Sequence, residues 1–96
     1  MKILYKKVGE EPTVMDIENE LHILQELVGG YIETAPTPIS RVVIVCDEEG
    51  KLNGKKPNFI NEDCIVGDAF FVGVGRDDFT DLTEEQIAQI KKIYFQ

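Results

Sequence analysis

The sequence has few residues that could hold a metal or carry out nucleophilic catalysis. Its 96 residues include no tryptophan, one histidine and two cysteines. A structural zinc ion needs four nitrogen or sulfur ligands, usually at paired spacings, and the chain has no such pair. Catalysis by a Ser-His or Cys-His pair would need His22 beside a nucleophile, but on a helical wheel His22 lies opposite the apolar stripe and is expected to face solvent. We therefore expect no metal, no cofactor and no enzymatic activity.

Positive charge and long apolar runs are also scarce. Ten basic residues stand against eighteen acidic ones, which gives a formal net charge of −8 and a pI near 4.5. Direct binding to nucleic acid is not expected, because it normally requires a basic surface. No apolar run reaches the ~18 residues that a membrane span needs, and the first apolar stretch is too short for a signal peptide. These absences predict a cytoplasmic protein that does not associate with membranes.

The two cysteines lie in apolar surroundings. Cys46 ends the apolar run 42–46, and Cys64 precedes Ile65 and Val66. Without a secretion signal we expect both to be reduced, buried thiols, with a disulfide as the alternative for a secreted protein.

The hydrophobic pattern predicts one domain, residues 1–96, with two helices. Strand-like alternation at 3–8 and 13–17 favours an opening hairpin, and a helix then follows whose apolar stripe begins at Ile17 and which ends at Gly29-Gly30. Further strands are expected at 31–34, 41–46 and 68–75, with an extended crossing at 35–38, a loop or irregular hairpin at 51–58 and a polar interruption at 61–63. Thr83 and Gln86 form a capping box that opens the last helix. The predicted fold class is α+β, a single small domain with a mixed, mainly antiparallel sheet of about five or six short strands and two helices packed on it.

Two strands are apolar on both faces, at 42–46 and 70–74. Such strands are typical of a central position covered on both sides, or of a face that a second subunit buries. Because two short helices would not comfortably cover them, we expect a homodimer.

The stretch 47–58 separates charge in an unusual way. Asp47, Glu48 and Glu49 are followed by Lys51, Lys55 and Lys56, with Gly50 and Gly54 between them. Backbone N–H groups at the glycines, with lysines alongside, predict a site for a phosphate or another anion. The alternative is a solvated loop whose lysines offset the nearby carboxylates.

Four neighbouring residues are candidates to complete that site. Asn53 and Asn58 could read the polar edge of a ligand, or could satisfy loop backbone groups as turn asparagines do. Tyr31 and Phe59 could stack on a planar base, or could belong to the core.

The densest acidic stretch lies before and within the start of the last helix. Its members are Asp77, Asp78, Asp81, Glu84 and Glu85. Carboxylates at a helix N-terminus are stabilised by the helix dipole, which accounts for two of them without a ligand. The alternative is an acidic surface that binds a partner protein.

Three stretches together resemble one protein family. They are the helix end with its glycine pair at 24–33, the acidic turn with a Gly-Lys step and a Pro-Asn segment at 47–58, and the glycine-led strand at 65–72. In this order they are similar to domain of unknown function 3846, a family of small proteins from phages and bacterial mobile elements. The sequence departs from the family pattern at two positions. It has Asp47 where the family has Asn, and it has Phe59 where the family has Arg. The resemblance implies a mobile-element context, in which small proteins often counter host defence.

Three functional hypotheses follow. The first is a non-catalytic accessory protein that sequesters a small anionic, nucleotide-like ligand of host defence, held by Lys51, Asn53, Gly54, Lys55, Lys56, Asn58, Phe59 and Tyr31. The second is an acidic interaction module or DNA mimic that occupies the surface of a host nuclease or regulator. The third is a small hydrolase that acts on such a ligand.

Overall fold

The computed structural model describes all 96 residues and confirms the α+β prediction. Two helices and eight short strands occur in the order β1 Lys2–Lys6, β2 Thr13–Asp16, α1 Leu21–Val28, β3 Ile32–Pro36, β4 Val42–Asp47, β5 Pro57–Asn61, β6 Asp63–Val66, β7 Ala69–Val74, β8 Phe79–Thr80 and α2 Glu84–Tyr94. Neither helix is long and apolar enough to cross a membrane.

Six strands form the main sheet, and two form a separate hairpin. The sheet has the order β2-β1-β7-β4-β3, with β8 pairing with the end of β7, and β5 pairs with β6. Every pair is antiparallel, so the sheet is not mixed. The backbone approaches closely at Gly73, since a Cβ there would lie 2.7 Å from the Asp81 carbonyl oxygen.

The sheet is covered on both faces. In the register of the central strands, Leu4, Phe71 and Ile44 lie side by side, as do Tyr5, Phe70 and Val45 in the next row. The first row packs with α2 and the β5–β6 hairpin, and the second with α1. Successive side chains along each central strand therefore point into two different cores, one on each face of the sheet.

This arrangement confirms the prediction that 42–46 is a central strand. The chain itself buries both faces, so the strand gives no reason for a second subunit. The homodimer stays a prediction without that support.

The helix ends follow the capping signals. Gly29 ends α1 in the left-handed conformation, at φ +72°, and its N–H donates to the Gln25 carbonyl oxygen at 2.8 Å. In α2, the Gln86 N–H donates to Thr83 Oγ1 at 3.0 Å and the Thr83 N–H donates to Gln86 Oε1 at 2.9 Å. Both predicted ends are confirmed.

The structure corrects three boundaries. Ile17 precedes α1, because its N–H donates to the Met1 carbonyl oxygen at 2.9 Å and extends the first hairpin. The strand predicted at 31–34 runs on to Pro36, and the polar residues at 61–63 form the tip of the β5–β6 hairpin.

Candidate functional site

Lys55 is one of the predicted anion ligands, and the structure places it in an ion pair. Its Nζ lies 2.6 Å from Asp47 Oδ2 and donates to the carbonyl oxygens of Val28 at 2.8 Å and Gly29 at 3.1 Å. These carbonyls are the unpaired acceptors at the end of α1, where the helix dipole favours a cation. The lysine is thus committed to the fold and is not free to hold a phosphate.

Asp47, at the end of β4, is buried. Its Oδ1 accepts from the Glu49 N–H at 2.9 Å. Burial opposes the charged form, but the hydrogen bonds from Lys55 and Glu49 and the charge of Lys55 outweigh it, so the pKa of Asp47 lies below its ordinary value. A Cβ at Gly30 would lie 2.5 Å from Asp47 Oδ1, which explains why a glycine follows Gly29.

The other two lysines lie in different surroundings. Lys51 pairs with Asp63, and the hydrogen bond between them raises the pKa of Lys51 and lowers that of Asp63. Both side chains are largely exposed. Lys56 is exposed and makes no ion pair. For Lys51 and Lys55 the structure therefore favours the alternative in which these lysines offset carboxylates, and the anion site stays a prediction.

Asn58 organises the chain around it. Its Nδ2 donates to the carbonyl oxygens of Lys6 and Gly67, both at 2.8 Å, and its Oδ1 accepts from Lys6 Nζ at 2.9 Å. Because its polar atoms are occupied, the structural alternative describes this residue better than ligand recognition. Asn53 and Gly54 are exposed, and Gly54 has a left-handed φ of +69° with open space around it.

The two candidate aromatic residues differ. Phe59 is only 8% exposed and stacks on Phe71 with ring centroids 5.3 Å apart, while Tyr94 and Phe95 meet it edge-on. A ligand could not stack on it without unpacking the core, so Phe59 is reassigned to the core. Tyr31 is 67% exposed and its ring is accessible.

The predicted acidic surface is partly committed to local contacts. Asp78 accepts from the Phe79 N–H at 2.7 Å and from Asn19 Nδ2 at 3.2 Å, and Asp81 accepts from the Lys2 N–H at 2.8 Å. Three carboxylates are exposed and make no ion pair: Asp77, Glu84 and Glu85. Glu84 and Glu85 occupy the first turn of α2, as the dipole argument expects.

The sequence did not reveal a cleft that is lined mainly by carboxylates. A cleft of about 410 Å³ separates β3 from the β5–β6 hairpin, with the 48–52 loop at one end. The ionisable side chains that line it, thiols aside, are Glu33, Asp47, Glu48, Lys51, Glu62 and Asp63. Asp47 and Asp63 are paired with lysines, while the other three carboxylates are exposed and make no ion pair.

A comparison with protein families identifies the chain. The family model described as Domain of unknown function (DUF3846) matches residues 1–94. The chain belongs to the DUF3846 family. Searches of curated proteins and of solved structures find no match.

Both thiols of this DUF3846 member line the cleft and are free. Cys46 is buried, and burial, followed by the charges of Glu33 and Asp47, raises the pKa of its thiol. A thiol with a raised pKa is a weak nucleophile at neutral pH. Cys46 therefore belongs to the apolar floor of the cleft.

The cleft of this chain was not evident from the sequence, because its carboxylates without ion pairs are far apart along the chain. Glu33, Glu48 and Glu62 lie on β3, in a loop and at a hairpin tip, and only the fold brings them to one concavity. The lysine-rich stretch was conspicuous for the opposite reason, since its charges are adjacent in the chain. Their carboxylate partners are 8 and 12 positions away and are seen only in the folded structure.

Proposed function

We propose that this protein is a non-catalytic interaction module that binds a basic segment of another protein in the cleft between β3 and the β5–β6 hairpin. The observation that carries the proposal is the set of three exposed carboxylates without ion pairs, Glu33, Glu48 and Glu62, around one concavity of about 410 Å³. Such a set fits lysine or arginine side chains, and arginine could bind a carboxylate through two hydrogen bonds.

Electrostatics supports a basic partner over an anionic ligand. The whole chain carries a net charge of −8, so its field attracts cations and repels phosphates. Of the lysines expected to attract an anion, Lys51 and Lys55 are paired with carboxylates and only Lys56 is without one. Sequestration of a nucleotide stays a prediction, as does a hydrolase activity. Of the eight residues predicted for that site, the exposed ones without an ion pair are Asn53, Gly54, Lys56 and Tyr31.

The family context is compatible with a basic host partner. Proteins that bind DNA carry basic surfaces, and an acidic module can occupy such a surface in place of the nucleic acid. We expect a phage or mobile-element protein that acts in the bacterial cytoplasm on a host nuclease or regulator.

The test uses two variants with equal changes in charge. In the first, Glu33, Glu48 and Glu62 are changed to Gln. In the control, Asp77→Asn, Glu84→Gln and Glu85→Gln neutralise the exposed carboxylates of the competing acidic surface. The probe is a labelled peptide of about eight residues that alternates Lys and Thr, and a Glu-Thr peptide and a cyclic dinucleotide are compared with it by calorimetry and fluorescence anisotropy.

The wild type and the control variant are expected to bind the Lys-Thr peptide, and the cleft variant is expected to bind it about tenfold more weakly, since each exposed ion pair contributes up to ~1 kcal/mol. Binding should weaken as the salt concentration rises from about 0.01 M to about 0.1 M, because the Debye length falls from ~30 Å to ~10 Å. Loss of binding in the control variant alone would show that the peptide binds the acidic surface around Asp77, Glu84 and Glu85 and not the cleft. Binding of the nucleotide, with none of the basic peptide, would overturn the proposal.

A further inference from the structure

One edge of the main sheet is open beside the cleft. β3 is the last strand of the order β2-β1-β7-β4-β3, and it pairs only with β4. An edge strand presents unpaired backbone N–H and C=O groups, which are a template for another strand.

The register shows which groups face outward. The Glu48 N–H donates to the Tyr31 carbonyl oxygen at 2.8 Å, one step before the pair Ile32–Asp47. Hydrogen-bonded pairs alternate along an antiparallel ladder, so Glu33 and Ala35 bond to β4 while Ile32 and Thr34 direct their N–H and C=O groups away from it. On the other side of β4, which pairs with β7, the Val74 N–H donates to the Arg41 carbonyl oxygen at 2.8 Å. Successive residues of β4 therefore bond alternately to β7 and to β3.

The end of this edge is already closed. Pro36 has no N–H, and its carbonyl oxygen accepts from Asn61 Nδ2 at 3.0 Å. The free stretch is therefore short, centred on Ile32 and Thr34. The opposite edge strand, β2, has no comparable cleft, since none of its residues lines a concavity.

Side-chain directions favour one kind of added strand. Glu33 and Ala35 lie in register with Cys46 and Ile44, on the side of the sheet that the hairpin covers. In a strand added to β3, every second side chain would point to that same side, toward Glu33 and Glu62. A basic residue at alternate positions would meet these carboxylates, whereas a second copy of this chain pairing through β3 would bring its own Glu33 to them.

We propose that the basic partner segment binds as an extra β-strand on the β3 edge, with lysine or arginine at every second position. This inference rests on the proposed function and adds the mode of binding. Backbone hydrogen bonds to Ile32 and Thr34 supply affinity, and the alternate basic side chains supply selectivity.

The first test leaves the protein unchanged. Two Lys-Thr peptides of equal length are N-methylated, one at all threonines and the other at all lysines, and titrated against the wild type. In a strand, alternate N–H groups point to opposite sides, so only one of the two sets can bond to β3. We expect one peptide to bind at least about tenfold more weakly than the unmodified probe, and the other to bind nearly as well. Equal binding or equal loss for both overturns strand addition.

A second test changes the edge itself. Thr34→Pro removes an outward N–H without removing a β4 hydrogen bond, as Pro36 already does two positions later, and Val14→Pro makes the matched change on the β2 edge. We expect Thr34→Pro to weaken binding of the Lys-Thr peptide about tenfold and Val14→Pro to leave that binding unchanged. Circular dichroism checks that both variants fold.

The outcomes separate the two proposals. Charge-dependent binding that tolerates both methylation patterns and Thr34→Pro leaves the proposed function in place and overturns strand addition. No binding of the unmodified Lys-Thr peptide overturns both. Peptide-independent dimerisation that Thr34→Pro abolishes assigns the edge to a second copy and overturns the basic-segment proposal.

Discussion

Lys55 Nζ lies 2.6 Å from Asp47 Oδ2 and, through the same nitrogen, 2.8 Å from the Val28 carbonyl oxygen. One ammonium group thus joins the end of β4 to the end of α1. The pair is asymmetric, because the Asp47 side chain is 2% exposed and that of Lys55 is 24% exposed. Loss of the lysine leaves a buried charge, whereas loss of the carboxylate leaves a cation that still reaches solvent.

Lys55→Met is expected to lower the free energy of unfolding by about 3 kcal/mol, since it leaves the Asp47 carboxylate buried without its partner. Denaturant unfolding measures the change, with Lys56→Met as the control for an exposed lysine without an ion pair. The double variant Asp47→Asn/Lys55→Met should recover part of the loss. Equal effects of the two lysine substitutions would contradict the assignment.

The pH dependence of stability should reflect the same pair. The pKa of Asp47 is lower in the folded chain than its ordinary value, so its contribution is fully present above the unfolded pKa of ~3.9 and is lost as the pH falls through the folded pKa. We expect Asp47→Asn to flatten the fall in stability below about pH 4. Asp77→Asn, at an exposed carboxylate without an ion pair, is the control, and an equal flattening there would refute the role of Asp47.

Gly30→Ala tests the space around the carboxylate. The new Cβ would lie 2.5 Å from Asp47 Oδ1, so we expect the free energy of unfolding to fall by about 2 kcal/mol, as overpacking usually costs ~1–3 kcal/mol. In an Asp47→Ala background the clash is absent and the same substitution should have little effect. A cost that is the same in both backgrounds would show that backbone conformation, rather than Asp47, requires the glycine.

The sequence predicted the features that local patterns encode. The roles of Gly29 at the end of α1 and of Thr83 at the start of α2 are predictable because capping depends on neighbours within four residues. The central position of the strand 42–46 is predictable because five apolar residues in a row need cover on both sides. These signals are short-range and survive without knowledge of the tertiary fold.

The roles of charged and aromatic residues were harder to predict. Lys55 and Phe59 were candidates for a ligand, but their partners Asp47, Val28 and Phe71 come from other elements, and composition does not encode which elements meet. The cleft was missed because Glu33 and Glu62 are 29 positions apart and share no motif. Long-range packing determines which polar groups are already occupied, and local sequence patterns do not contain that information.

Truncation of Phe59 should lower stability much more than truncation of Tyr31. Phe59→Ala removes a buried ring that stacks on Phe71, so we expect a loss of about 3–5 kcal/mol in the free energy of unfolding. Tyr31→Ala, at a ring that is 67% exposed, should change stability by less than about 0.5 kcal/mol. Thermal and denaturant unfolding of the two variants distinguishes a core ring from a surface ring, and a small effect at Phe59 would restore it as a ligand candidate.

Asn58→Ala should be costly although the side chain carries no charge. It removes one of the two acceptors of Lys6 Nζ, the other being the Lys7 carbonyl oxygen, and it removes the donor to the Lys6 and Gly67 carbonyl oxygens; Lys6 is only 9% exposed. Leaving buried polar groups unpaired costs ~1–3 kcal/mol each, so we expect a loss of about 2–3 kcal/mol. Asn53→Ala, at an exposed asparagine in the turn before β5, is the matched control and should have almost no effect on stability.

Asn58→Asp sharpens this test, because a carboxylate still accepts from Lys6 Nζ but cannot donate to either carbonyl oxygen. If the hydrogen bonds donated to Lys6 of β1 and to Gly67 after β6 hold β5 in place, the aspartate variant should remain clearly less stable than the wild type and exchange its β5 amide protons faster. Full stability in Asn58→Asp would mean that the hydrogen bond from Lys6 Nζ alone holds this part of β5 in place. The amide nitrogen of Asn58 would then be free to take part in recognition.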